Sequence, residues 1–322
     1  MNAEFEADLV VSRRVQEADG VISLTLRHPD GTPLPVWEPG AHIDLLLFHG
    51  LIRQYSLCGD PADRSGWQIA VLREPPGIGR GGSEQIHATV AEGSTVRVRG
   101  PRNHFALRPA PRYLFVAGGI GITPVLPMVA AAEASGAQWS LLYGGRSRSS
   151  MAFLDRLSAL DGGRGRVVTA PQDETGLLDL AAYLAAPAAD ALVYCCGPGP
   201  LLDAVEDRCR DWPSGALHVE RFSAKPADPD AAPVSSFELV LKRSGLTMTV
   251  PPDRTILDTV LDAGVEALYS CTEGTCGTCE TEIVEGEADH RDYVLSDEEQ
   301  SANEIMMICV SRCRGERLVL DM

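Results

Sequence analysis

Positive charge is scarce in this chain. Its 322 residues carry 28 Lys and Arg against 45 Asp and Glu, a net charge of −17 with a sequence pI near 4.8. That balance repels nucleic-acid phosphates and anionic membrane surfaces, so neither partner is expected, and it favours basic protein surfaces. An export leader is not read at the N-terminus, where MNAEFEADLVVSRR is acidic instead of basic and then apolar. Long apolar runs are nearly absent too. Residues 114–132 are uncharged and long enough to cross a bilayer, but they hold Gly118, Gly119, Gly121, Pro124 and Pro127. They read as a buried strand, a glycine turn and a helix start. Nine cysteines without a leader argue against a disulfide framework and for metal or redox chemistry in a reducing compartment, with the cytoplasm as the expected location. No repeat or heptad is present. What remains, 44% hydrophobic and 23% charged residues, suits two or three globular domains.

The text changes character twice. Residues 1–108 are strand-like, with LVVSRRV, VISLTLRH, HIDLLLF, WQIAVLRE and STVRVRG separated by turn signals such as Pro29-Asp30-Gly31. Short strands at this density predict a small closed antiparallel β-barrel. Residues 109–223 alternate strand and helix, which predicts an α/β domain on a parallel sheet. Strands are expected over residues 113–117, 139–143 and 191–195, with helices over residues 124–134 and 200–210. Residues 224–234, AKPADPDAAPV, read as a linker. Residues 235–322 open with a hairpin around Ser244-Gly245 and a helix over residues 255–263.

The strongest signal lies in that last segment. Cys271, Cys276 and Cys279 form C-x4-C-x2-C, followed at a distance by Cys309. This is the ligand spacing of a plant-type [2Fe–2S] cluster, which takes four thiolates. Gly274, Thr275, Gly277 and Thr278 keep bulky side chains away and leave backbone N–H groups free to point at sulfur. A zinc ribbon is the alternative, but it normally shows two C-x2-C knuckles where this chain has one.

Two glycine turns follow predicted strands. Gly118-Gly119-Ile120-Gly121-Ile122-Thr123-Pro124 precedes a helix and lets a pyrophosphate approach the backbone, and a tight turn is the plainer alternative. Cys196-Gly197-Pro198-Gly199-Pro200 is the second; a thiol there suits either a nicotinamide pocket or simple packing. In the barrel, Arg53-Gln54-Tyr55-Ser56-Leu57 offers a guanidinium for a phosphate and a phenol for an aromatic ring system. Gly79-Arg80-Gly81-Gly82-Ser83 precedes a helical run over residues 84–90 and forms an anion nest. A charged strand end and a plain loop account for the same residues.

In combination these motifs resemble the phthalate dioxygenase reductase family, which includes vanillate demethylase reductases. R-Q-Y-S-L, G-R-G-G-S, G-P-R-N-H-F, G-G-I-G-I-T-P, C-C-G-P, the cysteine set and the closing L-V-L-D-M occur in the family's order along essentially the whole chain. The resemblance implies a ferredoxin-reductase-like barrel for FMN, an NAD(P)-binding α/β domain and a C-terminal β-grasp ferredoxin domain. It implies that Arg53, Tyr55, Ser56, Gly81, Gly82, Ser83, Thr123 and Phe222 contact FMN. It places Gly118, Gly119, Cys196 and Gly197 at the dinucleotide and Cys271, Cys276, Cys279 and Cys309 on the cluster. Thr123, Cys196 and Glu220 are the residues expected around the reacting nicotinamide and flavin. NADH is the family's usual donor. Arg146 and Arg148, in Gly144-Gly145-Arg146-Ser147-Arg148, depart from that pattern and suit a 2′-phosphate, so NADPH stays open.

A nicotinamide gives two electrons as hydride and a [2Fe–2S] cluster takes one, so a flavin between them is the expected converter. The expected function is therefore the reductase component of an oxygenase system, feeding a separate Rieske non-haem iron oxygenase. A bacterial cytochrome P450 is the alternative acceptor, and a zinc-stabilised nucleotide-binding module the remote one. Residues 235–322 hold 18 acidic and 7 basic residues, a net of −11, which marks the ferredoxin domain as the expected docking surface.

Overall fold

A computed structural model describes residues 4–75, 81–223 and 235–322. Gly79, Arg80 and the linker over residues 224–234 lie outside the described residues. The chain forms two compact units, Met1–Arg221 and Phe222–Met322.

The first unit opens with six antiparallel strands: β1 (Glu6–Ala18), β2 (Val21–Arg27), β3 (His42–Leu46), β4 (Ile52–Ser56), β5 (Trp67–Leu72) and β6 (Thr95–Arg102). They run in the order β4-β3-β6-β1-β2-β5. The two edges meet where Leu57 bridges Ile69 and the Cys58 N–H donates to the Gln68 carbonyl at 2.8 Å, closing the barrel. Alternation sends Ile22, Leu24 and Leu26 inward to join Ile43, Leu45, Trp67 and Val98. Asp44, buried among them, is tolerable because Arg99 and Arg102 both reach its carboxylate. Helix α1 (Gly82–Thr89) follows β5; it begins two residues before the expected run, since its first turn is formed by Gly82 and Ser83.

Next comes a parallel sheet. Its elements are β7 (Arg112–Gly118), α2 (Ile122–Ser135), β8 (Gln138–Gly145), α3 (Leu154–Asp161), β9 (Val167–Pro171), the one-turn helices α4 (Gln172–Thr175) and α5 (Leu180–Tyr183), β10 (Ala191–Cys196), α6 (Gly199–Arg208) and β11 (Leu217–Glu220). The strand order is β11-β10-β7-β8-β9, with a core on each face. Residues 114–132 are thus a strand, a glycine turn and a helix. Among the described residues no helix is long and apolar enough to cross a membrane. Helix α2 starts before Pro124 because a proline in the first turn gives up an N–H that has no partner there. One apolar cluster takes Val21, Cys58 and Phe105 from the barrel together with Phe115, Leu126 and Tyr194 from the α/β part. The Tyr194 hydroxyl donates to the Ala106 carbonyl at 3.0 Å and accepts from the Arg108 N–H at 2.8 Å, tying the connecting segment down.

The second unit contains β12 (Phe237–Leu241), β13 (Leu246–Val250), α7 (Ile256–Asp262), β14 (Glu280–Glu285), β15 (Ala288–Asp289), α8 (Asp297–Ala302), β16 (Ile305–Met307), β17 (Arg312–Cys313) and β18 (Arg317–Leu320). The mixed sheet runs β13-β12-β18-β14-β16, with the C-terminal β18 at its centre, parallel to β12 and antiparallel to β14. Thr255 caps α7 by accepting from the Asp258 N–H at 3.0 Å. That helix buries Ile256, Leu257 and Val260 against Leu239, Met306 and Leu318.

Candidate redox sites

Cys271, Cys276 and Cys279 lie on the long loop between α7 and β14, and Cys309 follows β16. All four are buried, none more than 6% exposed. The loop turns tightly because Gly274 and Gly277 both take φ 70°, a conformation a side chain resists. A Cβ at Gly274 would stand 2.6 Å from Val310 Cγ2 and 3.1 Å from Asp292 Cα. The sulfurs act on one another. Cys276 and Cys309, then the N–H groups of Thr275 (3.5 Å) and Glu273 (3.3 Å), hold Cys271 below the ordinary thiol value. Contact with Cys271 in turn pushes Cys276 up. Cys279 is held down chiefly by Cys309, and Cys309 is pushed up by Cys271 and Cys279. Thiols this close share protons and are ready to lose them to a metal.

Among the described residues, no three His, Cys, Asp or Glu side chains converge on a single metal ion. A [2Fe–2S] cluster places its four thiolates around two irons, and four buried sulfurs, with two backbone N–H groups aimed at that of Cys271, fit that group. Sequence reasoning missed Asp292. Its carboxylate accepts from the N–H groups of Val294 (3.0 Å) and Leu295 (2.9 Å), while the next residue's N–H, that of Tyr293, donates to the Gly274 carbonyl at 2.9 Å. The signal was an Asp preceding an apolar pair, a common Asx turn.

In the first unit, the two glycine turns touch. A Cβ on Gly118 would meet Leu201 at 2.6 Å and Pro198 at 2.8 Å, and one on Gly121 would stand 2.2 Å from the Cys196 carbonyl oxygen. Gly119, at φ 54°, faces open space. The turns therefore abut at the C-terminal ends of β7 and β10, the sheet edge where open α/β sheets bind ligands, and Gly119 leaves bare backbone facing open space there. Thr123 is buried, and its hydroxyl donates to the Ile120 carbonyl at 2.9 Å, fixing the first turn. Cys196 is fully buried and its Sγ lies 3.9 Å from Glu220 Oε2. Desolvation pushes the Glu220 carboxyl up to about 8 and the Cys196 thiol higher still, so both stay neutral at pH 7. Cys195 faces the opposite core.

In the barrel, β4 and the start of α1 come together. A Cβ on Gly82 would stand 2.7 Å from Arg53 Cγ and 2.9 Å from its Nε, so Arg53 lies across the helix start. Gly81 precedes it at φ 79° with open space around. A guanidinium beside a helix N-terminus fits a phosphate such as that of FMN. Ser83 is buried, its hydroxyl accepting from the Glu74 N–H at 3.1 Å. Tyr55 packs at the edge of the barrel core, where burial pushes its phenol up. Ser56 is buried opposite His42 on β3. Phe222 follows β11 and is 43% exposed. Arg146 and Arg148 are exposed on the loop after β8, and Arg148 is ion-paired with Glu174 at 2.8 Å.

Known proteins match this arrangement. Residues 239–314 match the 2Fe-2S iron-sulfur cluster binding domain, and residues 115–207 match the oxidoreductase NAD-binding domain. A toluene-4-sulfonate monooxygenase system reductase subunit of Comamonas testosteroni is 42% identical, over 100% of both chains. The phthalate dioxygenase reductase of Burkholderia cepacia is 39% identical over 98% of this chain and 97% of its own. A solved phthalate dioxygenase reductase is 38% identical with a TM-score of 0.72, covering 100% of this chain and 98% of that one. An intact type IV self-sufficient cytochrome P450 monooxygenase is 46% identical with a TM-score of 0.90, over 98% of this chain and 41% of that one. The chain thus spans about four-tenths of that P450. With its flavin-type barrel, nucleotide sheet and [2Fe–2S] ferredoxin fold in this order, the chain belongs to the phthalate dioxygenase reductase family, the FMN-, [2Fe–2S]- and NADH-using reductases of oxygenase systems.

Proposed function

We propose that this reductase delivers electrons to a Rieske non-haem iron oxygenase held as a separate protein. The observation that carries the reading is the set of four buried, mutually interacting cysteines in a chain that also sets two glycine turns together at the strand ends of a parallel sheet. We assign residues 1–108 to FMN, 109–223 to NAD(P)H and 235–322 to the cluster, with residues 224–234 as linker. When bound, FMN and the cluster would supply the conversion of a two-electron hydride donor into single electrons.

The chain's own residues hold and insulate these groups. Arg53, Gly81, Gly82 and Ser83 would hold the FMN phosphate, and Tyr55, Ser56 and Thr123 would line its ring. Gly118, Gly119, Cys196 and Gly197 admit the dinucleotide because none projects a long side chain into the crevice. Cys196 and Glu220, both neutral at pH 7, add no fixed charge where hydride moves. Cys271, Cys276, Cys279 and Cys309 hold the cluster, and the N–H groups at Cys271 offset its negative charge. The acidic ferredoxin surface, net −11 over residues 235–322, steers a basic acceptor. A cytoplasmic setting accords with nine cysteines that form no disulfide among the described residues.

A cytochrome P450 acceptor is the second reading, favoured by the 46% identity to the P450-fused chain. Turnover with each class of oxygenase distinguishes them. The reading of the carriers is tested by Cys276→Ser. The variant is expected to keep NADH-to-ferricyanide activity and to lose cytochrome c reduction together with its iron–sulfur absorption. Equal loss of both activities refutes the order of carriers.

A further inference from the structure

The register of the parallel sheet sets Gly118 of β7 beside Gly144 of β8. The loop that leaves β8 therefore starts next to the first glycine turn. A dinucleotide with its pyrophosphate on such a turn extends its adenosine ribose toward the neighbouring strand end. There an acid selects a free 2′-hydroxyl, whereas an arginine accommodates a 2′-phosphate. This loop, Arg146-Ser147-Arg148-Ser149-Ser150, contains no acid.

Its shape is fixed by reciprocal serine contacts. The Ser147 N–H donates to Ser150 Oγ at 3.2 Å, and Ser150 Oγ donates to the Ser147 carbonyl at 2.8 Å. Arg148 projects from this turn and is gripped in two places by Glu174: Nε to Oε1 at 3.2 Å and Nη2 to Oε2 at 2.8 Å. Glu174 belongs to α4, after β9, and the Asp173 N–H donates to the Arg146 carbonyl at 3.2 Å, so loop and helix form one surface. Both members of the pair are about half exposed, at 54% and 48%. Exposed pairs of this kind contribute little net stability in water. A phosphate dianion offers arginine the same two-point geometry with more charge. Arg146 is exposed and forms no ion pair among the described residues.

We propose that the loop after β8 is a 2′-phosphate subsite, in which Arg146 and Arg148 bind the 2′-phosphate of NADPH and Glu174 competes with it for Arg148. The enzyme then accepts NADPH as well as NADH, and Glu174 is the residue that keeps NADH competitive. The proposal rests on the reading that the two glycine turns bind a dinucleotide.

The test titrates the purified holoenzyme calorimetrically with ADP-ribose and with 2′-phospho-ADP-ribose, and compares kcat/KM for NADH and NADPH with ferricyanide. In the wild type the two ligands are expected to bind within about tenfold of each other. Arg146→Ala and Arg148→Ala are each expected to weaken the phosphorylated ligand about tenfold more than ADP-ribose. Glu174→Gln is expected to shift the ratio about three- to tenfold the other way, with the kcat/KM ratio following. Unchanged ratios in the arginine variants, or in Glu174→Gln, overturn the subsite while leaving the dinucleotide crevice standing. If the wild type binds neither ligand, the crevice reading fails and the subsite with it.

Discussion

The contact between the two glycine turns makes Gly121→Ala a severe test of the crevice. Gly121 has φ −61° and ψ −6°, so alanine adopts the backbone without strain. Taken alone, restriction of the unfolded chain then stabilises the variant by about 0.4–1 kcal/mol. Against this, the new Cβ would stand 2.2 Å from the Cys196 carbonyl oxygen, 2.4 Å from its carbon and 2.7 Å from the Gly197 nitrogen. All three are backbone atoms, so no rotamer change relieves the clash, and overpacking costs about 3 kcal/mol. The net loss is about 2 kcal/mol, which lowers the Tm of a unit this size by about 4–8 °C. Pushing the Cys196–Gly197 peptide aside also displaces the dinucleotide, and a shift near an ångström costs about 10–100-fold in kcat/KM for NADH. Thermal unfolding followed by flavin release, with NADH-to-ferricyanide kinetics, measures both. Gly199→Ala is the control: its Cβ meets nothing within 4 Å, and its Tm should not fall. A Gly121→Ala protein with unchanged Tm and kcat/KM would refute the close approach of the two turns.

Gly274→Ala in the cluster loop adds a Cβ at φ 70° against Val310 and Asp292, and is expected to cut iron and acid-labile sulfide content by more than half while flavin content stays at the wild-type level. Glu220 makes stability pH-dependent: with its carboxyl raised from 4.5 to about 8, its contribution is complete below pH 4.5 and is lost as pH rises to about 8. The slope over that window reaches about 1.4 kcal/mol per pH unit, so Glu220→Gln should flatten the fall in Tm between pH 5 and 8, and an unaltered profile counts against the desolvated carboxyl. Reduction of a basic acceptor such as cytochrome c should slow by about tenfold between 0.02 and 0.3 M NaCl, because the acidic ferredoxin surface is screened. Stopped-flow reduction of the flavin by NADH should change far less, and an equal slowing of both would place the salt effect elsewhere.

The sequence by itself determined the parts whose chemistry is local. Alternation in VISLTLRH and the run YLFVA announced barrel strand and buried parallel strand, because a side-chain period is set by backbone geometry over a few residues. The spacing Cys271-x4-Cys276-x2-Cys279 identified a cluster loop, since three ligands on one short segment must wrap a compact core. Helix starts lie two residues before the expected ones, at Gly82 and Ile122, where glycine and proline serve in a first turn. Tertiary structure alone decided what lies between distant segments. Only the strand order β11-β10-β7-β8-β9 presses Gly121 onto Cys196 and sets Glu220 beside its thiol. Only the loop packing brings Asp292 to Gly274, and only the return of the chain through β9 gives Arg148 its Glu174. These pairs are 18 to 75 residues apart in the chain. A desolvated carboxyl or a closed crevice is a property of such neighbours, and no local pattern encodes it.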